Sequence, residues 1–164
     1  MKELKPKRVS DSMTEHVEIL MPGHINGYKR LFGGQLMEWI DVVAAVVARR
    51  HSSCNVTTAS IDNLQFKAPA YANNTLVLKG KITYVGTSSM EIKVDTYVEA
   101  LDGTQKVINH AYLVLVALDE NDNPAKVPPL LIETDEEKAE WEAGVKRHNL
   151  RKQRRAEEDR KSVV

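Results

Sequence analysis

The sequence predicts an α+β domain in which a curved antiparallel sheet wraps around one long helix, followed by a charged helical tail. Two observations carry this. Leu36, Ile40, Val43 and Val47 recur at helical spacing, as do Met37, Asp41, Ala44 and Ala48. Four strand-like runs then follow with turn signals between them and no helical period among them. One helix followed by consecutive strands gives an antiparallel sheet with the helix on a face, not alternating strand–helix units.

The elements follow in order. Residues 1–13 read as a flexible polar lead-in. Glu15 to Leu20 predicts a short first strand, broken by Met21-Pro22-Gly23. A loop runs to about Phe32, and the helix starts near Gly33 or Gly34. Arg49, Arg50 and His51 crowd its C-terminus, where positive charge suits the helix dipole. Strands are expected at Val56–Phe66, Thr75–Val85, Ser89–Glu99 and Val107–Leu118. Gly86-Thr87-Ser88 joins two of them, and Asp102-Gly103 is a second hairpin signal. Leu113 to Leu118 is apolar on both faces, so both need cover. One helix cannot cover both, which predicts self-association. The folded domain spans 14–127. Pro128-Pro129 starts a stiff linker, and 128–164 is linker plus a charged helix from Glu133 to about Lys161, anchored by Leu131, Trp141, Val145 and Leu150.

Composition excludes several classes. The 164 residues fit one domain, with 42% apolar and 28% charged residues and a formal net charge of zero. No global field therefore points to nucleic acid or membrane. The sole cysteine, Cys54, cannot form an internal disulfide, and no signal-peptide pattern is seen, which predicts a cytoplasmic location. The longest apolar run falls short of a bilayer span. There is no serine-nucleophile elbow, no P-loop and no dinucleotide fingerprint. The five histidines lack metal-ligand spacing.

The candidate residues cluster between Asn26 and Ala48. Asp41 is the one charged residue from Trp39 to Ala48, and a buried carboxylate is costly without partners. It is either a structural acid satisfied by loop amides or a working base or nucleophile. Gly33-Gly34 at the helix start is either a tight N-terminus or an oxyanion site, whose unpaired N–H groups would hold a developing negative oxygen. Asn26 in Asn-Gly is first a turn residue, and its amide could also orient a water or a carbonyl. Asp62 in SIDNLQF is a rival acid. Gly86, Thr87 and Ser88 form a turn whose N–H groups and hydroxyls could meet a phosphate. The basic run 146–155 is a solvated helix face or an attractor for a phosphorylated ligand.

The segments HINGYKRLFGGQLMEWID, SIDNLQFKAP and VGTSSMEIKV resemble the hotdog-fold acyl-CoA thioesterases of the cytosolic acyl-CoA hydrolase type. The match spans about residues 13–120, and N-G-x4-F-G-G-x6-D is its specific core. The charged tail resembles extensions of some bacterial members. The resemblance implies hydrolysis of acyl-CoA to fatty acid and CoA by a homodimer with joined sheets, built into a trimer of dimers. It assigns the acid to Asp41, the asparagine to Asn26, the oxyanion contact to Gly33 or Gly34, and the CoA-contacting turn to Gly86, Thr87 and Ser88. It also implies that asparagine and acid come from two hotdog units, hence two chains. No metal or redox cofactor is implied, and CoA is part of the substrate. The alternative is a non-catalytic acyl-CoA sensor on the same fold. A hydratase would need an Asp–His pair near the site, and no such motif is evident.

Overall fold

The computed structural model describes residues 3–163. Its strands are β1 (Lys7–Arg8), β2 (Thr14–Ile19), β3 (Asn55–Phe66), β4 (Thr75–Val85), β5 (Ser89–Glu99), β6 (Gln105–Leu118) and β7 (Leu130–Leu131). Its helices are α1 (Gly33–Ser52) and α2 (Asp135–Lys161). Five strands form one antiparallel sheet in the order β2-β4-β5-β6-β3, so β3 is an edge although it follows α1 directly. β1 and β7 form a separate two-stranded parallel pair.

α1 fills the inner face of the sheet. Leu36, Ile40, Val43, Ala44, Val47 and Ala48 are buried against Leu76, Leu78, Ile82, Met90, Ile92, Val94, Leu113 and Leu115. Gly80 is what lets the helix come down on β4, since a Cβ there would lie 2.7 Å from Val43 Cγ1 and 3.0 Å from Val47 Cγ2. The helix ends at Ser53, which takes a left-handed conformation and donates its N–H to the Arg49 carbonyl.

The helix is not buried all round. Met37 and Val42 are exposed and Asp41 is half-buried. The mixed spacing of small apolar residues in VVAAVVA hides this stripe, because alanine and valine suit either environment.

The N-terminal lead-in is seated rather than free. Val9 and Ser12 are buried, Lys7 donates its N–H to the Pro129 carbonyl, and β1 pairs with β7. The linker is likewise docked, because Val127 is buried and the Pro128 carbonyl accepts a 2.8 Å hydrogen bond from His51 Nε2. His51 is itself fully buried, and its Nδ1 has no partner among the described residues. Burial pushes the His51 pKa below its ordinary 6.5, outweighing the opposing pull of the Pro128 carbonyl. The unfolded chain then binds the proton more readily than the native one, so stability should fall as pH drops through about 6.5 and be unaffected by this group above it. Thermal melts of wild type and His51→Gln between about pH 8 and pH 5 test this. Parallel profiles would remove His51 as the cause.

α2 changes the expected reading of the outer sheet face. That face is polar on β5, with Glu91, Lys93 and Asp95, and α2 lies across it. Glu91 is 1% exposed and accepts from Arg147 Nη2 at 2.8 Å, Arg151 Nη2 at 2.7 Å and Thr83 Oγ1 at 2.7 Å. Burial alone would raise its pKa, but the two guanidinium groups and the hydroxyl outweigh it and hold the carboxylate below its usual range. Among the predicted anchors Trp141 packs on Tyr84, whereas Leu131 and Leu150 are exposed. The close contact is at Gly144, where a Cβ would sit 2.8 Å from Tyr84 Cβ. The second face is therefore covered at least in part by the chain's own tail, so apolar strand faces do not by themselves require a partner.

Candidate active site

The loop before α1 is built by hydrogen bonds that its sequence supplies. Asn26 Oδ1 accepts from the Tyr28 N–H at 2.9 Å and the Arg30 N–H at 3.2 Å. Its backbone pairs with Arg30 and Lys29. The turn reading of Asn26 is thus correct for its oxygen, while its Nδ2 donates to no group among the described residues. Phe32 N–H donates to the His24 carbonyl, and the His24 ring packs edge-on against Trp39. These contacts deliver the chain to the start of α1.

Phe32 is the N-cap of α1 and offers no side-chain cap. Its carbonyl accepts from Gln35 and Leu36, so the Gly33 and Gly34 N–H groups find no acceptor among the described residues. Two adjacent unpaired donors at the positive end of a 20-residue helix suit a negative oxygen. A Cβ at Gly33 would meet the Phe66 ring at 3.6 Å, and one at Gly34 would meet the exposed Phe32 ring at 2.7 Å. Neither glycine has a positive φ, so neither is needed for backbone conformation. Replacing Gly33 or Gly34 by Val should accordingly cost turnover more than stability, by crowding the approach to the donors. Matched kcat/KM and melting measurements check this, and full activity in both variants would exclude an oxyanion site there.

Asp41 lies two turns further along, about 12 Å from Gly33 by helical rise. Thr58 Oγ1 donates to its Oδ1 at 2.6 Å, leaving Oδ2 free of protein donors among the described residues. Thr58 is exposed on β3, so this carboxylate sits beside the open edge of the sheet. Asn26, by contrast, lines a cavity of about 290 Å³ with Leu31, Phe66, Ala68 and Ile108, and Asp41 is not part of its wall. Within one chain Asn26 and the glycine donors share an end of the molecule, and Asp41 with Thr58 forms a second cluster.

Asp62, the rival acid, is placed elsewhere. It accepts from Arg151 Nη1 at 2.9 Å on the outer face, under α2. Simple alternation puts Thr58 and Asp62 on one face of β3. An irregularity between Thr58 and Ser60 reverses this, so that Thr58 faces α1 and Asp62 faces α2. Nothing in TTASID reveals that irregularity, so the sequence marks Thr58 only as a hydroxyl residue in the strand after the helix. The Gly86–Ser88 turn lies against His148 of α2.

A curved antiparallel sheet around one central helix is the architecture of the hotdog thioesterase fold. Residues 28–102 match the model of the thioesterase superfamily. The chain is 38% identical over 137 residues to a Bacillus subtilis protein described as an uncharacterized acyl-CoA thioester hydrolase, covering 83% of this chain and 80% of that one. The chain belongs to this family. It superposes on the acyl-CoA hydrolase of Staphylococcus aureus, solved with butyryl coenzyme A, coenzyme A and coenzyme A disulfide, with a TM-score of 0.89, 33% identity and 94% of each chain covered. It also superposes on a hexameric acyl-CoA thioesterase with a TM-score of 0.88 and 34% identity, covering 93% of this chain and 99% of that one. The rat cytosolic acyl coenzyme A thioester hydrolase is 30% identical over 92% of this chain, which spans 40% of that enzyme's length.

Proposed function

We propose that the protein hydrolyses acyl-CoA thioesters to a fatty acid and CoA at a site shared by two chains. The observation that carries this is the pairing of an uncapped Gly33-Gly34 helix start with a half-buried Asp41 that has one oxygen fixed by Thr58 and one free. Further support comes from the Staphylococcus aureus enzyme, for which variants with one asparagine, one aspartate and one threonine replaced by alanine were characterized. The sequence separations between those three positions equal those between Asn26, Asp41 and Thr58.

The thioester carbonyl accepts hydrogen bonds from the Gly33 or Gly34 N–H groups, and the free Asn26 Nδ2 orients the carbonyl or the water. Asp41 Oδ2 takes a proton from water as its oxygen bonds to the acyl carbon, and the glycine donors hold the resulting oxyanion. The C–S bond then breaks, and the leaving sulfur takes the proton back from Asp41. Direct attack by Asp41, giving an anhydride that water then cleaves, uses the same groups.

The cluster separation within one chain argues for the partner. The free β3 edge presents unpaired backbone groups beside Thr58, and Met37, Val42, Phe32 and Phe66 are exposed nearby. A second copy pairing along β3 joins the two sheets and brings Asn26 of one chain toward Asp41 of the other. A trimer of such dimers is the higher assembly this reading favours. Among the described residues no helix is long and apolar enough to cross a membrane. Incubating the protein with acyl-CoAs of graded chain length while following thiol release tests the function. The sensor alternative requires tight acyl-CoA binding with no thiol released.

A further inference from the structure

We propose that His24 is a positioning residue for the acyl-CoA site, clasping the neck of the entry loop so that Asn26 and the Gly33–Gly34 donors keep one fixed arrangement. This rests on the thioesterase reading of that site. The loop needs a clasp. From Met21 to Arg30 only His24 and Ile25 are partly buried, and the other residues are exposed. Gly23 and Gly27 have open space where a Cβ would stand, so crowding does not fix the backbone there. Lys29 takes a φ of 60°, a left-handed conformation that a residue with a side chain keeps only where its surroundings hold it.

Contacts from three directions converge on His24. Its own N–H donates to the Met21 carbonyl at 2.9 Å, and the Met21 N–H donates back to the ring Nδ1 at 3.0 Å. Its carbonyl accepts at 2.9 Å from the Phe32 N–H, the last amide before Gly33. Its ring meets Trp39 edge-on, with centroids 4.9 Å apart and planes at 78°. Met21 follows the end of β2, Phe32 is the N-cap of α1, and Trp39 is buried in the body of that helix. One residue thus ties strand end, helix start and helix body together where the loop leaves and returns. Ile25 and Leu31 form the next bridge inward, and Asn26 lies directly beyond it.

The imidazole suits this task. A backbone N–H can only donate, so Nδ1 is the acceptor and the proton of the neutral ring sits on Nε2. The ring therefore offers a nitrogen acceptor and an aromatic face at once. Asparagine would keep the acceptor and lose the face, and phenylalanine would do the reverse. His16 packs on the same Trp39 from β2, with centroids 6.4 Å apart, but its Nε2 pairs with Glu18 rather than with the loop. The two histidines beside Trp39 thus differ in what they bind. Asn26 and the glycine donors stand at opposite ends of the clasped loop, so a slack neck changes their separation. Such a loss acts on turnover, since a misplacement of about 1 Å can cost up to about a hundredfold.

Three variants of the full chain separate the acceptor from the ring. His24→Phe keeps a ring against Trp39 and removes the acceptor. Met21 is exposed, so water can satisfy its freed N–H and the fold should survive. Its kcat toward acyl-CoA should fall about tenfold or more, with a melting temperature near that of wild type. Amide hydrogen exchange should rise across residues 24–32 while β4 and β5 exchange as in wild type. His24→Asn restores an acceptor and should recover most of the turnover and of the protection. His16→Phe, which alters the other ring beside Trp39, should match wild type in both. Full turnover by His24→Phe, an equal loss in His24→Asn or in His16→Phe, or slower turnover with unchanged exchange would each overturn the proposal. If wild type released no thiol from any acyl-CoA, the thioesterase reading would fall and the positioning role with it. Exchange in His24→Phe would still show, separately, whether the ring nitrogen clasps the loop.

Discussion

Asp41→Asn is expected to lower kcat toward acyl-CoA by about 10²–10⁴, the usual contribution of a positioned general base. The replacement is chosen for what it preserves. An asparagine matches the aspartate in size, and its Oδ1 can still accept the Thr58 hydroxyl that now sits 2.6 Å from the carboxylate. The half-buried position carries no ion pair among the described residues that the change would break. Folding should therefore survive, with a melting temperature close to that of wild type, while the proposed general base is lost. The effect should fall on kcat more than on KM, because in the proposed mechanism the carboxylate acts in the step that attacks the acyl carbon. A folded Asp41→Asn protein turning over at a near wild-type rate would remove Asp41 from the mechanism. The next candidate would not be Asp62, whose carboxylate is bound to Arg151 on the far face of the sheet.

The fold was legible because its signals are local. The period of α1, the alternation of β4 and β5 and the two hairpin signals each depend on a few neighbouring residues, and these elements fall where the sequence placed them. What was not legible depends on distant partners. The β1–β7 pair joins residues more than a hundred positions apart, and two residues per strand give no alternation to read. The Glu91–Arg147–Arg151 cluster buries a carboxylate that looks, in SMEIKVD, like an ordinary outward charge. Gly144 looks like a helix weakness and serves as the contact that lets α2 lie close.

The site divides in the same way. Asn26, Gly33, Gly34 and Asp41 were singled out by chemistry, because glycines at a helix start and a lone acid in an apolar helix conflict with what packing alone prefers. Thr58 was not, since its placement opposite Asp41 depends on an irregularity in β3 that reverses which residues face the helix. The same irregularity turns the rival acid away from the helix. One local break in β3 leaves Thr58 beside Asp41 on the helix side and puts Asp62 under the tail.

Mixing two inactive variants should restore activity. Asn26→Ala removes the loop amide and keeps the acid, and Asp41→Ala does the reverse, so each alone should turn over slowly. If the site draws Asn26 from one chain and Asp41 from the other, a mixed dimer holds one site with both residues and one with neither. Random exchange at equal amounts makes half of all dimers mixed, so recovery should approach about a quarter of wild-type activity. The physical reason is that one chain keeps these residues in two clusters. Asn26 borders the cavity at Phe66 and Ile108, Asp41 binds Thr58 about 12 Å along the helix from Gly33, and the edge of β3 lies open beside it. Co-expression with two different affinity tags, followed by purification through both, yields the mixed species without relying on slow subunit exchange. Tag-verified mixed dimers with no recovered turnover would place Asn26 and Asp41 in one site within a chain, or give Asn26 only its turn-forming role.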